Sequence, residues 1–479
     1  MNSDCLERPA YMNTLFVPDL LFRSSGRFQS GLGLLVGDDG LIRGLVENSA
    51  GEPCNVVNLN GKALLPGFIN AHSHSFQRLI RGKSESRRVT GTDFWSWREL
   101  MYRAAADLGP DDVYDVARMA FLEMALAGIT TVGEFHYLHR TPAGDPYDDP
   151  NLLCRRVIDA ACSIGLRIVV LRVAYERSGF EVPPNSGQRR FCETAREFLA
   201  NTSALFSEFP AGSQQVRIGV APHSIRAVPL QHIAEIIEWA RGANLPIHMH
   251  IAEQPDEVSA CEREYGFAPL ALLERERLLG PHFTAVHAIH VSEQEMDEFA
   301  ATNGTICSCP ITERNLGDGV VSADQLARRG IPMAVGSDSQ AQIDPLEDVR
   351  GLDYHLRLTR THRVILDQIG NQELSHRLFT CATVNGARSL MVKGGDFCPG
   401  SPADFFTVNL SDPCIAGSSE DDLLSLIVYS LNRAAICDVA VGGKWIVRDR
   451  SHKLQGEVVS RYRDLYGKVW MGAHRSNGC

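Results

Sequence analysis

The chain has 479 residues, 44% of them hydrophobic and 22% charged, the balance of a folded globular protein and not of a disordered or fibrous one. A formal net charge of -11 offers no basic excess to neutralise phosphates and argues against nucleic acid as a partner. Polar residues, Gly or Pro interrupt every apolar run before it could span a bilayer, so no membrane segment is expected.

The length suits one large barrel-sized domain with a smaller companion. Residues 1–63 open with short strand-like runs, such as 32–36, separated by turn signals. From residue 64 the pattern changes. Runs at 64–70, 129–135, 167–173, 216–221, 245–251, 283–287, 305–309 and 331–336 read as strands, with helical stretches between them. The helix expected at 112–127 puts Val113, Val116, Ala120 and Met124 on one face and meets Gly128 at its end. Eight strands alternating with helices predict an α/β chain folded as a (β/α)8 barrel over residues 64–395. Residues 396–479 return to short strands, 403–408 and 439–447, the latter around Gly442-Gly443. Neither end alone has enough strands for a stable sheet, so the two are expected to pair into a small β-sandwich domain. The cluster Arg78, Arg81, Lys83, Arg87 and Arg88 reads as a solvated loop near the barrel mouth. Thirteen cysteines without a CxxC pair, and residues 1–19 without the basic-then-apolar order of a secretory leader, predict a cytoplasmic setting.

Chemistry collects at the strand ends. The first strand finishes in His72-Ser73-His74, and on a strand the i, i+2 spacing sends both imidazoles to one face. The fifth ends in His248-Met249-His250 with Glu253 three residues on, the sixth at His287, and the eighth runs into Ser337-Asp338. One such histidine is most simply a satisfied core residue, but four strand ends carrying His or Asp converge at the rim where barrel enzymes keep their chemistry. Imidazole with carboxylate is a ligand set for zinc or iron.

These motifs resemble the deaminase branch of the amidohydrolase superfamily. The blocks at residues 94–101, 134–137, 221–226 (Ala-Pro-His-Ser-Ile-Arg) and 315–319 (Asn-Leu-Gly-Asp-Gly) are similar, more narrowly, to the formimidoylglutamate deiminases of histidine degradation. The resemblance implies His72, His74, His250 and Asp338 as ligands of one divalent metal ion, zinc with iron as the other candidate. No lysine lies in 216–224 to bridge two ions, so one ion per chain is expected. Glu253 is expected to shuttle the proton, with His287 and Asp338 assisting attack on an amidine carbon. The resemblance further implies a small dicarboxylate substrate held by Arg98 and Arg226, with Gln77, Tyr137 and His223 lining the same pocket, and a homodimer. Of the neighbours His136 and Tyr137, strand alternation allows only one to face inward, and the block selects Tyr137. Gln340 departs from the pattern, which has histidine there, and the departure bears on the choice of substrate. Two alternatives stay open: a relative acting on another formimidoyl amino acid or a purine, pyrimidine or triazine ring, and a barrel that binds without catalysis.

Overall fold

The computed structural model describes residues 13–47, 54–85, 94–180, 182–209, 213–367, 369 and 372–471. Eight parallel strands follow one another around a barrel in chain order: β1 (Phe68–Ser73), β2 (Ile129–His136), β3 (Arg167–Ala174), β4 (Val216–Pro222), β5 (Ile247–Ile251), β6 (Phe283–His287), β7 (Thr305–Ser308) and β8 (Met333–Val335). Every residue of β2 and β3 is buried, as expected of strands covered by helices on one side and filled by side chains on the other. The barrel closes between its last and first strands, where Ser73 bridges Asp338. There Asp338 N–H donates to the His72 carbonyl and His74 N–H to the Asp338 carbonyl, each at 3.0 Å. Gly336 permits the closure, because a Cβ at that position would lie 2.7 Å from that of His72.

A second, eight-stranded sheet takes strands from both ends of the chain. Phe405–Asn409 from the C-terminal part pairs antiparallel with the end of Asn55–Pro66, which in turn runs parallel to Thr14–Phe22. The sheet folds over on itself: Phe16, Phe405 and Trp445 pack edge to face with centroids 4.9–5.5 Å apart. The two-ended β-domain and the barrel expected from the sequence are therefore both present.

Four details differ from the sequence reading. The run at 64–70 is two strands, since Leu64–Pro66 belong to the terminal sheet and the barrel begins only at Phe68. Gly67 makes the transition, its N–H donating to the Asp404 carbonyl while Thr130 occupies the space a side chain would need. The seventh strand stops before Cys309, which caps the helix Pro310–Leu316, and the eighth shortens to three residues. The described part of the basic cluster, Arg78, Arg81 and Lys83, is not a solvated loop. Arg78 and Arg81 both pair with Glu123, at 2.6 and 2.8 Å, and Lys83 sits over the rings of Tyr466 and Trp470, tying the segment after β1 to the C-terminal helix Gln455–Trp470. Arg87 and Arg88 lie outside the described residues. Among the described residues no helix is long and apolar enough to cross a membrane.

One buried ion pair braces the barrel beside the site. Arg172 of β3 meets Glu193 through both terminal nitrogens, and Asn201 also donates to that carboxylate. Burial pushes the Glu193 carboxyl up, but His139, then Arg172 and the hydrogen bonds, pull it down to about 2 from 4.5. Because the folded value is the lower one, this stabilisation is complete above pH 4.5 and is lost as pH falls toward 2. Glu193→Gln, which leaves Arg172 buried without its anion, is expected to cost about 3 kcal/mol at neutral pH in denaturant unfolding. It should also flatten the fall in stability between pH 4.5 and 2; an unchanged acid limb would dissociate that limb from Glu193.

Candidate active site

The strand ends deliver their side chains to one point. Nε2 of His72 lies 3.2 Å from Nε2 of His74 and 3.1 Å from Nε2 of His250, and Asp338 Oδ1 is 3.1 Å from His74 Nε2 and 3.6 Å from His72 Nε2. All four residues are buried. Two of the imidazoles are oriented by backbone: His74 Nδ1–H donates to the Phe135 carbonyl at 2.9 Å and His250 Nδ1–H to the His223 carbonyl at 3.2 Å. Since a carbonyl can only accept, the proton is on Nδ1 and the Nε2 lone pair points inward, the arrangement that supports metal-ligating histidines. Burial lowers the His72 pKa to about 3 and that of His250 well below 6.5, so both are neutral donors at neutral pH. One proton on His72 could satisfy a single neighbour, whereas a divalent cation satisfies all four groups, and three nitrogens with one carboxylate suit zinc.

Beside this cage stands Glu253, two residues beyond the end of β5 and just ahead of the helix Pro255–Tyr265. Its Oε1 is 3.7 Å from His287 Nε2 and its Oε2 3.4 Å from an Arg226 terminal nitrogen. It is a buried residue and not the exposed helix-start acid that its position next to a helix would allow. The other terminal nitrogen of Arg226 meets Glu257 at 3.1 Å, leaving Nε buried without a partner. His287 is ringed by carboxylates: Glu313 at 3.3 Å on Nδ1, Glu253 and Asp338 at 3.7 and 3.8 Å from Nε2. Burial alone would lower its pKa, but Glu253, the Glu313 hydrogen bond and Asp338 outweigh burial and raise it to about 10.

The pocket opening onto the cage is lined by Gln77, Phe94, Trp97, Arg98, Tyr137 and His223 together with His74, His250 and Asp338 of the cage, Glu253 and Arg226. Gln77 donates to the Tyr137 hydroxyl at 2.7 Å. Arg98 lies over the Trp95 ring at 4.6 Å, and its Nε has no hydrogen-bond partner. Tyr137 faces this pocket, while His136 packs toward His139. Gln340 is not among the lining residues. Its amide donates to Ser73 Oγ and to the Asp338 carbonyl, each at 2.9 Å, and its oxygen accepts from Ser337 at 3.1 Å. The departure therefore falls behind the Asp338 turn and not on the substrate side.

Backbone strain marks the same rim: Ala252, His287 and Asp338 are non-glycine residues with φ of 49°, 71° and 45°, conformations that persist only where surrounding contacts hold them. Sequence reasoning missed three acids here. Glu257 and Glu313 look like ordinary first-turn helix acids, and only the fold reveals that each holds a pocket residue. Asp318, inside the 315–319 block, accepts from Gln254 at 2.5 Å, and burial, then the charge of Glu253, raise it to about 9, so it is a neutral acid beside the pocket.

A carbonyl-oriented imidazole cage at a barrel rim, with a buried glutamate one step away, is a donor set able to hold a divalent metal beside an acid–base group. Residues 63–446 match the Amidohydrolase family, and the chain belongs to it, a deaminase-type hydrolase acting on carbon–nitrogen bonds. It is 35% identical over 410 residues to the formimidoylglutamate deiminase of Pseudomonas aeruginosa, an alignment covering 85% of this chain and 90% of that protein. The crystal structure of an amidohydrolase from Brucella melitensis superposes with a TM-score of 0.86 at 29% identity, covering 95% of this chain and 99% of that one. An adenosine deaminase from Xanthomonas campestris solved with bound zinc shares the fold, with a TM-score of 0.81 at 21% identity over 96% and 98% of the two chains.

Proposed function

We propose that the protein hydrolyses N-formimidoyl-L-glutamate to N-formyl-L-glutamate and ammonia, a step of histidine degradation. The observation that carries this reading is Glu253, held between Arg226 and His287 at the edge of the histidine cage, in a pocket that also presents Arg98. His72, His74, His250 and Asp338 would hold the cation, zinc with iron as the alternative. When bound, it supplies Lewis acidity that brings water toward ionisation at neutral pH. Glu253 takes the proton released as water attacks the amidine carbon and delivers it to the departing nitrogen, because an amine leaves poorly unless protonated. His287, carrying its proton between Glu253 and Asp338, stabilises the charge that develops on the attacking oxygen, while Asp338 holds the imidazole in place from the other side. The net change balances: water adds across the carbon–nitrogen double bond, and the tetrahedral carbon then expels ammonia.

At the other end of the substrate, Arg98 and the unused N–H groups of Arg226 bind the two carboxylates, with Gln77, Tyr137 and His223 lining the path. Glu257 and Glu253 keep Arg226 oriented, so it enters the reaction as a pre-aligned fork. The same reading takes residues 64–395 as the catalytic barrel, residues 1–63 and 396–479 as its flanking domain, the homodimer as the assembly and the cytoplasm as the setting.

The test is ammonia release by metal-loaded enzyme from N-formimidoyl-L-glutamate, with N-formimidoyl-L-aspartate, guanine and a chelated control in parallel. Rapid, chelator-sensitive turnover of the glutamate derivative is expected; activity on guanine alone would overturn the pocket assignment. Arg98→Met should raise KM by roughly 10–100-fold, the value of one or two hydrogen bonds to a charged group, with a smaller change in kcat. An unchanged KM would remove Arg98 from the carboxylate site.

A further inference from the structure

A second set of donor atoms lies on the other side of Asp338. A ring nitrogen of His287, Cys309 Sγ and an Asp338 carboxylate oxygen fall within 4.8 Å of one another, and all three residues are buried. The two oxygens of Asp338 face different ways, Oδ1 toward His72 and His74 and Oδ2 toward His287 Nε2 at 3.8 Å. His287 Nε2 has no hydrogen-bond partner, while Nδ1 meets Glu313 at 3.3 Å. A carboxylate on one ring nitrogen and an unpartnered, buried nitrogen on the other is the outer support that metal-binding histidines carry. Glu313 is itself fixed, accepting from the Cys309 N–H at 2.7 Å and from Ser308 Oγ, so the histidine and the cysteine are held by one carboxylate. Sulfur joins the set because β7 leads directly into Cys309, which packs with Ala71, Val286, Cys307 and Ala334.

We propose that His287, Cys309 and Asp338 form a second, sulfur-containing site for a thiophilic divalent cation, joined to the histidine cage through Asp338 and inhibitory when filled. The class of ion follows from the thiolate, which selects cadmium, or zinc in excess, over magnesium or calcium. Binding exchanges two protons for the cation, since the Cys309 thiol and the protonated His287 ring, raised to about 10, must each release one to solvent to become ligands. Metal–sulfur and metal–nitrogen bonds of about 2.3 and 2.0 Å place donors about 3.5 Å apart, so the three atoms draw together on binding, and a larger ion such as cadmium demands less movement. Inhibition follows because His287 and one oxygen of Asp338 are withdrawn from the reaction; this consequence rests on the function proposed above, whereas the site itself does not.

The experiment titrates metal-free, full-length enzyme with cadmium, following the ultraviolet thiolate-to-metal band and bound metal by elemental analysis. The histidine cage contains no sulfur, so the first equivalent should bind without the band and the second should bring it. Cys309→Ala and Cys309→Ser should keep the first equivalent, which also reports that they fold, lose the Cys309 band and weaken the second equivalent at least tenfold. Cys307→Ser should retain the band. In zinc-loaded enzyme, inhibition by excess zinc should shift by at least tenfold in both Cys309 variants. A wild-type protein that shows no sulfur band at any cadmium concentration, or a band and inhibition unchanged in both variants, overturns the proposal. A Cys309-dependent band arriving with the first equivalent would support the sulfur site and instead overturn the histidine cage as the tighter one.

Discussion

Glu253→Gln is expected to slow ammonia release from N-formimidoyl-L-glutamate by roughly a hundredfold to ten-thousandfold, with KM and bound metal close to wild type. The substitution keeps the size of the side chain and removes only its ability to carry a proton. It leaves the four cage residues untouched and leaves Arg226 paired to Glu257 at 3.1 Å, so the guanidinium does not become a lone buried charge. A fall in kcat without a rise in KM is the signature of an interaction made in the transition state. Two other groups could in principle replace it. Glu313 is committed to His287, Ser308 and Cys309, and Asp318 is bonded to Gln254 and raised chiefly by burial, a cause the substitution leaves in place. Neither can accept the proton of the attacking water as Glu253 can. Unchanged turnover in the glutamine variant would remove Glu253 from the chemistry, and a variant that had lost its metal would show that it supports the cage.

The cage was legible in the sequence because its signal is periodic. Strand alternation fixes which side His72 and His74 face, and the rim of a barrel gathers strand ends that lie far apart in the chain, so the four strand ends carrying His or Asp could be read together once eight strands were counted, while the choice of His250 and Asp338 among them came from the family resemblance. The first strand was misjudged at its start for the same reason: Leu64 and Leu65 continue an apolar run, and nothing in composition separates a residue of the terminal sheet from one of the barrel. Gly67 was the clue, meaningful only once Thr130 is known to crowd it. Supporting acids are the opposite case. Glu257 and Glu313 act through partners 31 and 26 residues away, and a carboxylate in the first turn of a helix has an adequate local explanation in the helix dipole. Arg78 and Arg81 were misread for want of a partner, since Glu123 lies on a helix whose inward-facing side had been assigned to apolar residues.

Asp338→Asn should lower metal affinity by more than the roughly 10–100-fold typical of losing an outer supporting group, and activity should fall with metal content. Asp338 is the anion of the cage. His72 and His250 are neutral, and the Asp338 carboxyl is held well below its usual range because the adjacent His72 and His74 rings outweigh the effect of burial. Replacing it with an amide leaves a divalent cation among imidazoles without a compensating charge at the site. The fold should tolerate the change: Asp338 has φ of 45°, a left-handed conformation that asparagine adopts more readily than most residues, and the backbone bonds closing β8 onto β1 do not involve the carboxylate. Gln340→Ala provides the comparison, since Gln340 bonds the Asp338 carbonyl and not the cage; its effect on metal affinity should stay within the 10–100-fold of a supporting residue. Elemental analysis after dialysis against graded chelator measures both. An asparagine variant that keeps one tightly held ion and full turnover would mean that three imidazoles suffice, and that Asp338 serves the barrel closure alone.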